Sequence, residues 1–253
     1  MKYFIVFLFG LLALASCKSD KSVATDDSTA LSDTVATNQA TAEQSLAMPK
    51  AASTPSALPV APTPDDALLF TVAKVNVDWI GSKTTGSSHV GIIKGSTGRF
   101  GYKNGNLVSG NVSIDMKTLM VTQMEDPDKA KLESHLKGED FFDVNKYPTA
   151  SFELVSVDKF DPTKSRGVLA AVRLTHTITG NLTIKGITRT ITFPANIVIN
   201  SDYISVTSAM FNIKRTDWGV NYDQDKISGK IKDAIVNDEI SIMLTVQANK
   251  KAQ

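Results

Sequence analysis

Asn111-Val112-Ser113-Ile114-Asp115-Met116 alternates polar and apolar residues without a break, and Val75-Asn76-Val77-Asp78-Trp79 does the same. Side chains of a strand point to opposite faces in turn, so each stretch presents one apolar and one polar face and reads as a half-buried β-strand. The pattern continues outward. Leu182 and Ile184, then Ile187, Ile191 and Phe193, carry it with threonines interleaved, and Ile240, Ile242, Leu244, Val246 and Ala248 close the chain in the same way. One-sided strands of this kind belong to antiparallel sheets. Asn104-Gly105 lies between two such runs and supplies the positive φ values of a two-residue hairpin; Lys185-Gly186 marks a second.

One segment departs from period two. Asp126 is placed to cap a helix with Pro127 at its first position, Leu132 and Leu136 share a face, and Gly138 is placed to end it in the left-handed conformation. Phe141 and Phe142 follow, and both leave water only if the core wraps the segment, so the short helix is expected to plug or lid the sheet. About eight strands, one helix and no βαβ spacing fit a sandwich or a closed barrel. An eight-stranded barrel is either filled by side chains or just wide enough for one small ligand. Periodicity does not choose, because Tyr203–Phe211 and part of Ala150–Val155 carry apolar residues on both faces.

The N-terminus is of another kind. Met1-Lys2 and the apolar run Tyr3–Ala15 form a signal peptide, too short for a stable membrane span. Leu14-Ala15-Ser16-Cys17 resembles the lipobox of bacterial lipoproteins, which predicts cleavage after residue 16 and lipid on Cys17, the one cysteine of the chain. Intrachain disulfides are thereby excluded. Lys18, in place of an aspartate, favours the outer membrane under the enterobacterial sorting rule. Residues 17–67 are rich in Ala, Ser, Thr, Asp and Pro and read as a flexible lipid-anchored linker. A chain of about 50 such residues spans roughly 40 Å root-mean-square. Residues 68–253 then form one domain, long enough for a single core.

The formal net charge of +1 and the absence of a basic block leave no electrostatic footprint for nucleic acid. Catalytic signals are thin. The three histidines, His89, His135 and His176, have no H-E-x-x-H spacing, and no G-x-S-x-G elbow occurs. His135 and Glu139 stand at i,i+4, a spacing more often solvated than metal-binding. Asp126-Pro127-Asp128 and Asp223-Gln224-Asp225 lack the glycine and twelfth acidic ligand of a calcium loop, so no metal site is assigned. Arg215-Thr216-Asp217-Trp218-Gly219 reads first as a strand end with a buried indole and a charge pair. His89, near a strand start, is placed either to meet a ligand headgroup or to satisfy a backbone group.

Larger blocks carry a family resemblance. Trp79, His89-Val90-Gly91, Gly98-Arg99-Phe100, Ser113-Ile114-Asp115, His135-Leu136, Asp140-Phe141-Phe142-Asp143-Val144, Tyr147-Pro148, Gly180 through Thr188, and Arg215 through Val220 occur in the order seen in the YceI-like family. The chain resembles that family over about Leu69 to Lys250. It departs where Met124-Glu125-Asp126-Pro127 stands in place of an Arg-Asp pair often found ahead of the His-Leu. The resemblance implies an all-β fold, an extended eight-stranded antiparallel lipocalin-like β-barrel with one short helix, and an internal apolar tunnel for polyisoprenoid or other long-chain amphiphiles. Residues on inward alternation, Val77, Trp79, Ile114, Phe152, Leu182, Ile184, Phe211, Ile213 and Leu244, together with His89, are the candidate ligand contacts; each of the apolar ones also fits plain core.

The expectation is an exported envelope lipoprotein that binds a long-chain apolar ligand and no other cofactor, attached to a membrane by its N-terminal lipid. Its oligomeric state is open, a homodimer included. An enzyme acting on such a lipid, or a structural or stress-related envelope protein with a filled barrel, are the rivals.

Overall fold

In the computed structural model, residues 52–54, 57–164, 173–221 and 236–250 are described. The expected signal peptide 1–16, Cys17, most of the expected linker and the Asp223-Gln224-Asp225 loop lie outside the described residues.

The described strands are β1 (Ala52–Thr54), β2 (Leu68–Lys83), β3 (Ser88–Lys103), β4 (Asn106–Val121), β5 (Thr149–Lys159), β6 (His176–Ile184), β7 (Ile187–Ile199), β8 (Tyr203–Ser208), β9 (Phe211–Lys214) and β10 (Val236–Lys250), with helix α1 (Asp128–Lys137) between β4 and β5. Sequential neighbours pair antiparallel from β2 through β8. The ring closes because β10 pairs with β2 on one side and with β8 and β9 on the other. β8 and β9 are two halves of one barrel strand broken at Ala209-Met210: Thr207 faces Thr245 and Phe211 faces Ile242, a shift of one residue. Counted so, the barrel has the eight strands expected, and the described strands number ten only because of that break and the short outer β1. Closure leaves no free edge around most of the circumference.

Both hairpins form as their sequences require. Asn104-Gly105 has φ of 51° and 87°, and Lys185-Gly186 has 49° and 73°, the left-handed pair of a turn that matches strand twist. The helix differs in detail. Pro127 itself takes the N-cap position, and Asp126 does not cap. Glu125 and Pro127 carbonyls instead accept from Lys129 N and Lys131 N. Gly138 is extended (φ −71°, ψ 171°) rather than left-handed, because Phe142 N and Val144 N satisfy the last carbonyls at Leu136 and Lys137.

The last part of the expected linker is not free. Ala52–Thr54 pairs with Thr190–Thr192 of β7, beside the stretch of β7 that β8 does not reach. Leu58 N donates to Asn181 Oδ1 (3.0 Å) and Thr190 Oγ1 (3.1 Å), and Asn181 Nδ2 donates back to Leu58 O (2.7 Å). Further on, Thr63 bonds Ser109 at 2.7 Å, and Asp66 pairs with Lys103 at 2.8 Å. This segment straps the outer wall from β6 and β7 to β3 and β4. Asn181 and Thr190 are buried beneath it, so the polar strap meets side chains that already need partners.

Candidate functional site: an apolar cavity in one half of the barrel

The alternation that makes the strands also sorts their side chains. On β2, Val77 and Trp79 point inward; on β4, Ile114 and Met116; on β5, Ala150 and Phe152; on β6, Leu182 and Ile184; on β7, Ile191 and Phe193; on β9, Phe211 and Ile213; on β10, Ile240, Ile242 and Leu244. They surround a cavity of about 350 Å³, near the lower end of the roughly 300–1,000 Å³ usual for small-molecule sites.

The cavity occupies one end of the barrel only. The next inward positions, Val75, Val112, Leu154, Ala195 and Val246, are buried yet do not line it, and with Phe70, Phe100 and Ile178 they form the packed remainder of the core. The boundary between the two halves is an aromatic layer. Phe193 and Phe211 stack at 4.6 Å with planes 7° apart, and Phe152 tilts against Phe193 at 5.8 Å. From Val77 at this floor to Lys83 at the rim is roughly 20 Å of strand at about 3.3 Å per residue, or about 15 Å of depth for strands inclined by about 40°.

Helix α1 stands at the open end. Leu132, His135 and Leu136 contribute to the lining, as do Phe141 and Phe142, which meet edge-on at 5.0 Å. Glu133 Oε1 accepts from Val121 N at 2.9 Å and pins the helix to the end of β4, while Lys185 Nζ donates to Phe141 O at 2.8 Å from the β6–β7 hairpin. The lid expected of this segment is therefore part of the cavity wall. His135 faces Asp140 at 3.7 Å, and because the helix ends at Lys137, Glu139 lies beyond the helix expected to carry both.

Arg215-Thr216-Asp217-Trp218 makes a 3-10 turn against the mouth, ended by Gly219 at φ 68°. Trp218 is wholly buried and its Nε1 donates to Leu182 O at 3.0 Å. Arg215, 3% exposed, donates to three carbonyls, Val220 O (2.6 Å), Val236 O (3.1 Å) and Asn237 O (3.2 Å), and meets Asp238 at 3.3 Å. The buried indole read from the sequence is present, and the carboxylate that Arg215 meets is that of Asp238, outside the block. By contrast, the Trp79 indole N–H has no acceptor among the described residues. The ring lies flat over Gly91, its cross-strand partner, where any Cβ would overlap it. A buried unpaired donor of this kind costs about 1–3 kcal/mol.

All ten of the candidate contacts, the nine apolar residues and His89, stand around this one cavity. His89 lies at the rim opposite Gly81, and burial, then the charge of Lys83, hold its pKa below the ordinary histidine range. Of the polar side chains weighed for chemistry, His89 and Arg215 both line the cavity and Asp115 does not. Asp115 is exposed and accepts from Lys117 N, and Arg215 is bound up in the mouth network. Sequence reading missed the contributions of Leu132, Leu136, Phe141 and Phe142, which come from outside the strands, and of Lys83, a rim residue with no pattern around it. Phe193, Ile191 and Ile242 carried the same alternation as the residues chosen.

A closed antiparallel meander with an apolar cavity at one end defines a lipocalin-like barrel. The chain belongs to the YceI-like domain family, whose pattern matches residues 72–248. It is 33% identical over 119 residues to a UPF0312 protein of Pseudomonas putida, covering 47% of this chain and 54% of the relative, and 30% identical over 143 residues to one of Pseudomonas aeruginosa, covering 53% and 69%. The chain thus spans about half the length of the first of these curated relatives. Among solved structures, a polyisoprenoid binding domain from Saccharophagus degradans superposes with a TM-score of 0.50 at 12% identity, over 73% of this chain and 99% of that one, a likeness of fold.

Proposed function

We propose that this protein is an envelope lipoprotein, held by lipid on Cys17, whose barrel binds and carries a long apolar chain of the isoprenoid type without chemically changing it. The observation that carries the proposal is the cavity: about 350 Å³, walled by aliphatic and aromatic side chains, floored by the Phe152, Phe193 and Phe211 layer. A hydrocarbon chain offers nothing to hydrogen-bond, so its site needs a dry lining and little else, and each CH₂ moved into it contributes about 0.8 kcal/mol. Ten such groups supply about 8 kcal/mol, from which the costs of association are then deducted. The ligand class named for the Saccharophagus degradans domain supports the same reading.

The lipobox at Cys17 and the lysine that follows it support attachment at the outer membrane, where a carrier would stay near the bilayer that holds its cargo. Organic extraction of the protein made in its natural host, followed by mass spectrometry, tests the binding. A long-chain compound near one per chain is expected, and an empty extract from folded protein refutes it.

A further inference from the structure

The cavity wall is not electrically neutral. Among the described residues its ionisable side chains are Lys83, His89, His135 and Arg215, and neither aspartate nor glutamate lines it. Two of the four are spoken for: Arg215 by three carbonyls and Asp238, His135 by Asp140. Lys83 and His89 are not paired with a carboxylate among the described residues. They sit together at the tip of the β2–β3 hairpin, on the rim, both half-buried. His89 faces Gly81 across the ladder, and Lys83 lies two residues further on, its N–H bonded to Ser87 O at 2.8 Å. The nearby polar groups of β10 are engaged elsewhere, Asn237 Nδ2 on Ser82 Oγ and Asp238 on Arg215 and Lys214.

An apolar shaft about 15 Å deep, ending at a rim whose two free ionisable groups are both basic, has the charge profile of a site for an amphiphile with one negative end. Beside burial, the charge of Lys83 disfavours protonation of His89, and an anion lying between the two offsets that repulsion. We infer that the ligand is an anionic amphiphile, a carboxylate or phosphate monoester whose head is held at the rim by Lys83 and His89 while its chain fills the cavity down to the phenylalanine floor. The inference rests on the binding reading above and adds the head to it.

The test uses the full chain and three displacers of a fluorescent lipid probe with the same sixteen-carbon tail: palmitate, hexadecyl phosphate and hexadecanol. A charge-assisted contact at a half-exposed rim predicts that one or both anions bind about tenfold tighter than the alcohol at low salt. That preference should shrink in 1 M salt, where the screening length falls to about 3 Å. In the double variant Lys83→Met, His89→Gln, checked for folding by its unfolding midpoint, the preference should fall to parity. The salt dependence of the unaltered protein needs no variant to fold. Equal binding of anions and alcohol overturns the inference and leaves the carrier intact; a preference that survives in the folded double variant overturns the assignment to Lys83 and His89. Failure of all three to displace the probe overturns the carrier reading itself.

Discussion

Replacing Arg215 by methionine should cost about 3–5 kcal/mol of folding stability. The guanidinium is 3% exposed and satisfies Val220 O, Val236 O and Asn237 O while facing Asp238. Methionine keeps much of the side-chain volume, so packing loss is small and the cost falls on the groups left behind. Hydrogen bonds to a charged donor contribute about 1.5–3 kcal/mol each, and a buried unsatisfied carbonyl costs about 1–3 kcal/mol. Three such carbonyls give a naive sum of about 3–9 kcal/mol. Water reaching the partly exposed Asn237 and Asp238 brings this toward the roughly 3–5 kcal/mol typical of breaking a buried ionic network. Lysine in the same place makes fewer of these bonds and should recover less than half. Urea unfolding followed by tryptophan fluorescence measures the difference directly, since Trp218 lies in the same turn. A loss below 1 kcal/mol for Arg215→Met, or a lysine variant as stable as the original, would show that the network does not hold the mouth of the barrel together.

Other outcomes follow from single contacts. Gly91→Ala puts a methyl group into the Trp79 ring and the Met120 carbonyl; a loss of roughly 3 kcal/mol is expected, and unchanged unfolding would show that the two strands separate freely there. Asn181→Ala removes both bonds to the Leu58 backbone and the one from Thr190, for about 1–3 kcal/mol. Hydrogen exchange at Leu58 should quicken while that of the β6 core amides changes far less, and equal protection would contradict the strap. His89 and His176 both have pKa values lowered by burial, reinforced by Lys83 and Lys159 respectively. The unfolded chain therefore takes up protons at these sites first, so their contribution is intact above about pH 6.5 and is lost as pH falls through the folded values. The urea midpoint should drop between pH 7 and pH 5, with a shallower slope in the His89→Gln, His176→Gln variant; a flat midpoint counts against it.

How far the sequence alone reveals these features depends on whether the physics is local. Strand parity is local. Once Ile114 is taken as inward, Val112 and Met116 follow, and antiparallel pairing carries the choice to Phe152 and Leu182 through the registers Val112 opposite Phe152 and Phe152 opposite Leu182. That is why the nine apolar residues chosen by alternation on six strands stand around one space. The strap is not legible, because its bonds reach 123 residues along the chain from Leu58 to Asn181, and a segment that contributes backbone groups to a distant wall has the composition of any linker.

The division of the barrel into a packed and an empty half is the least legible feature, and it is the one on which function turns. Leu154 and Phe152 obey the same alternation on the same strand, and so do Ala195 and Phe193, or Val246 and Leu244; the first of each pair lies in the packed half, the second on the cavity wall. Nothing in the period separates them. What separates them is how much volume the other strands bring to the same level: Phe70 and Phe100 face each other across β2 and β3 in the packed half. Toward the mouth the same strands supply Gly81 and Gly91 instead, and Gly91 leaves room for the Trp79 ring to lie flat against the wall. Small residues at the rim level let a large side chain fold back instead of crossing the lumen. The cavity is thus made as much by where side chains are missing as by which apolar ones are present, and a cross-strand sum of volumes at each level of the barrel is the quantity that locates it.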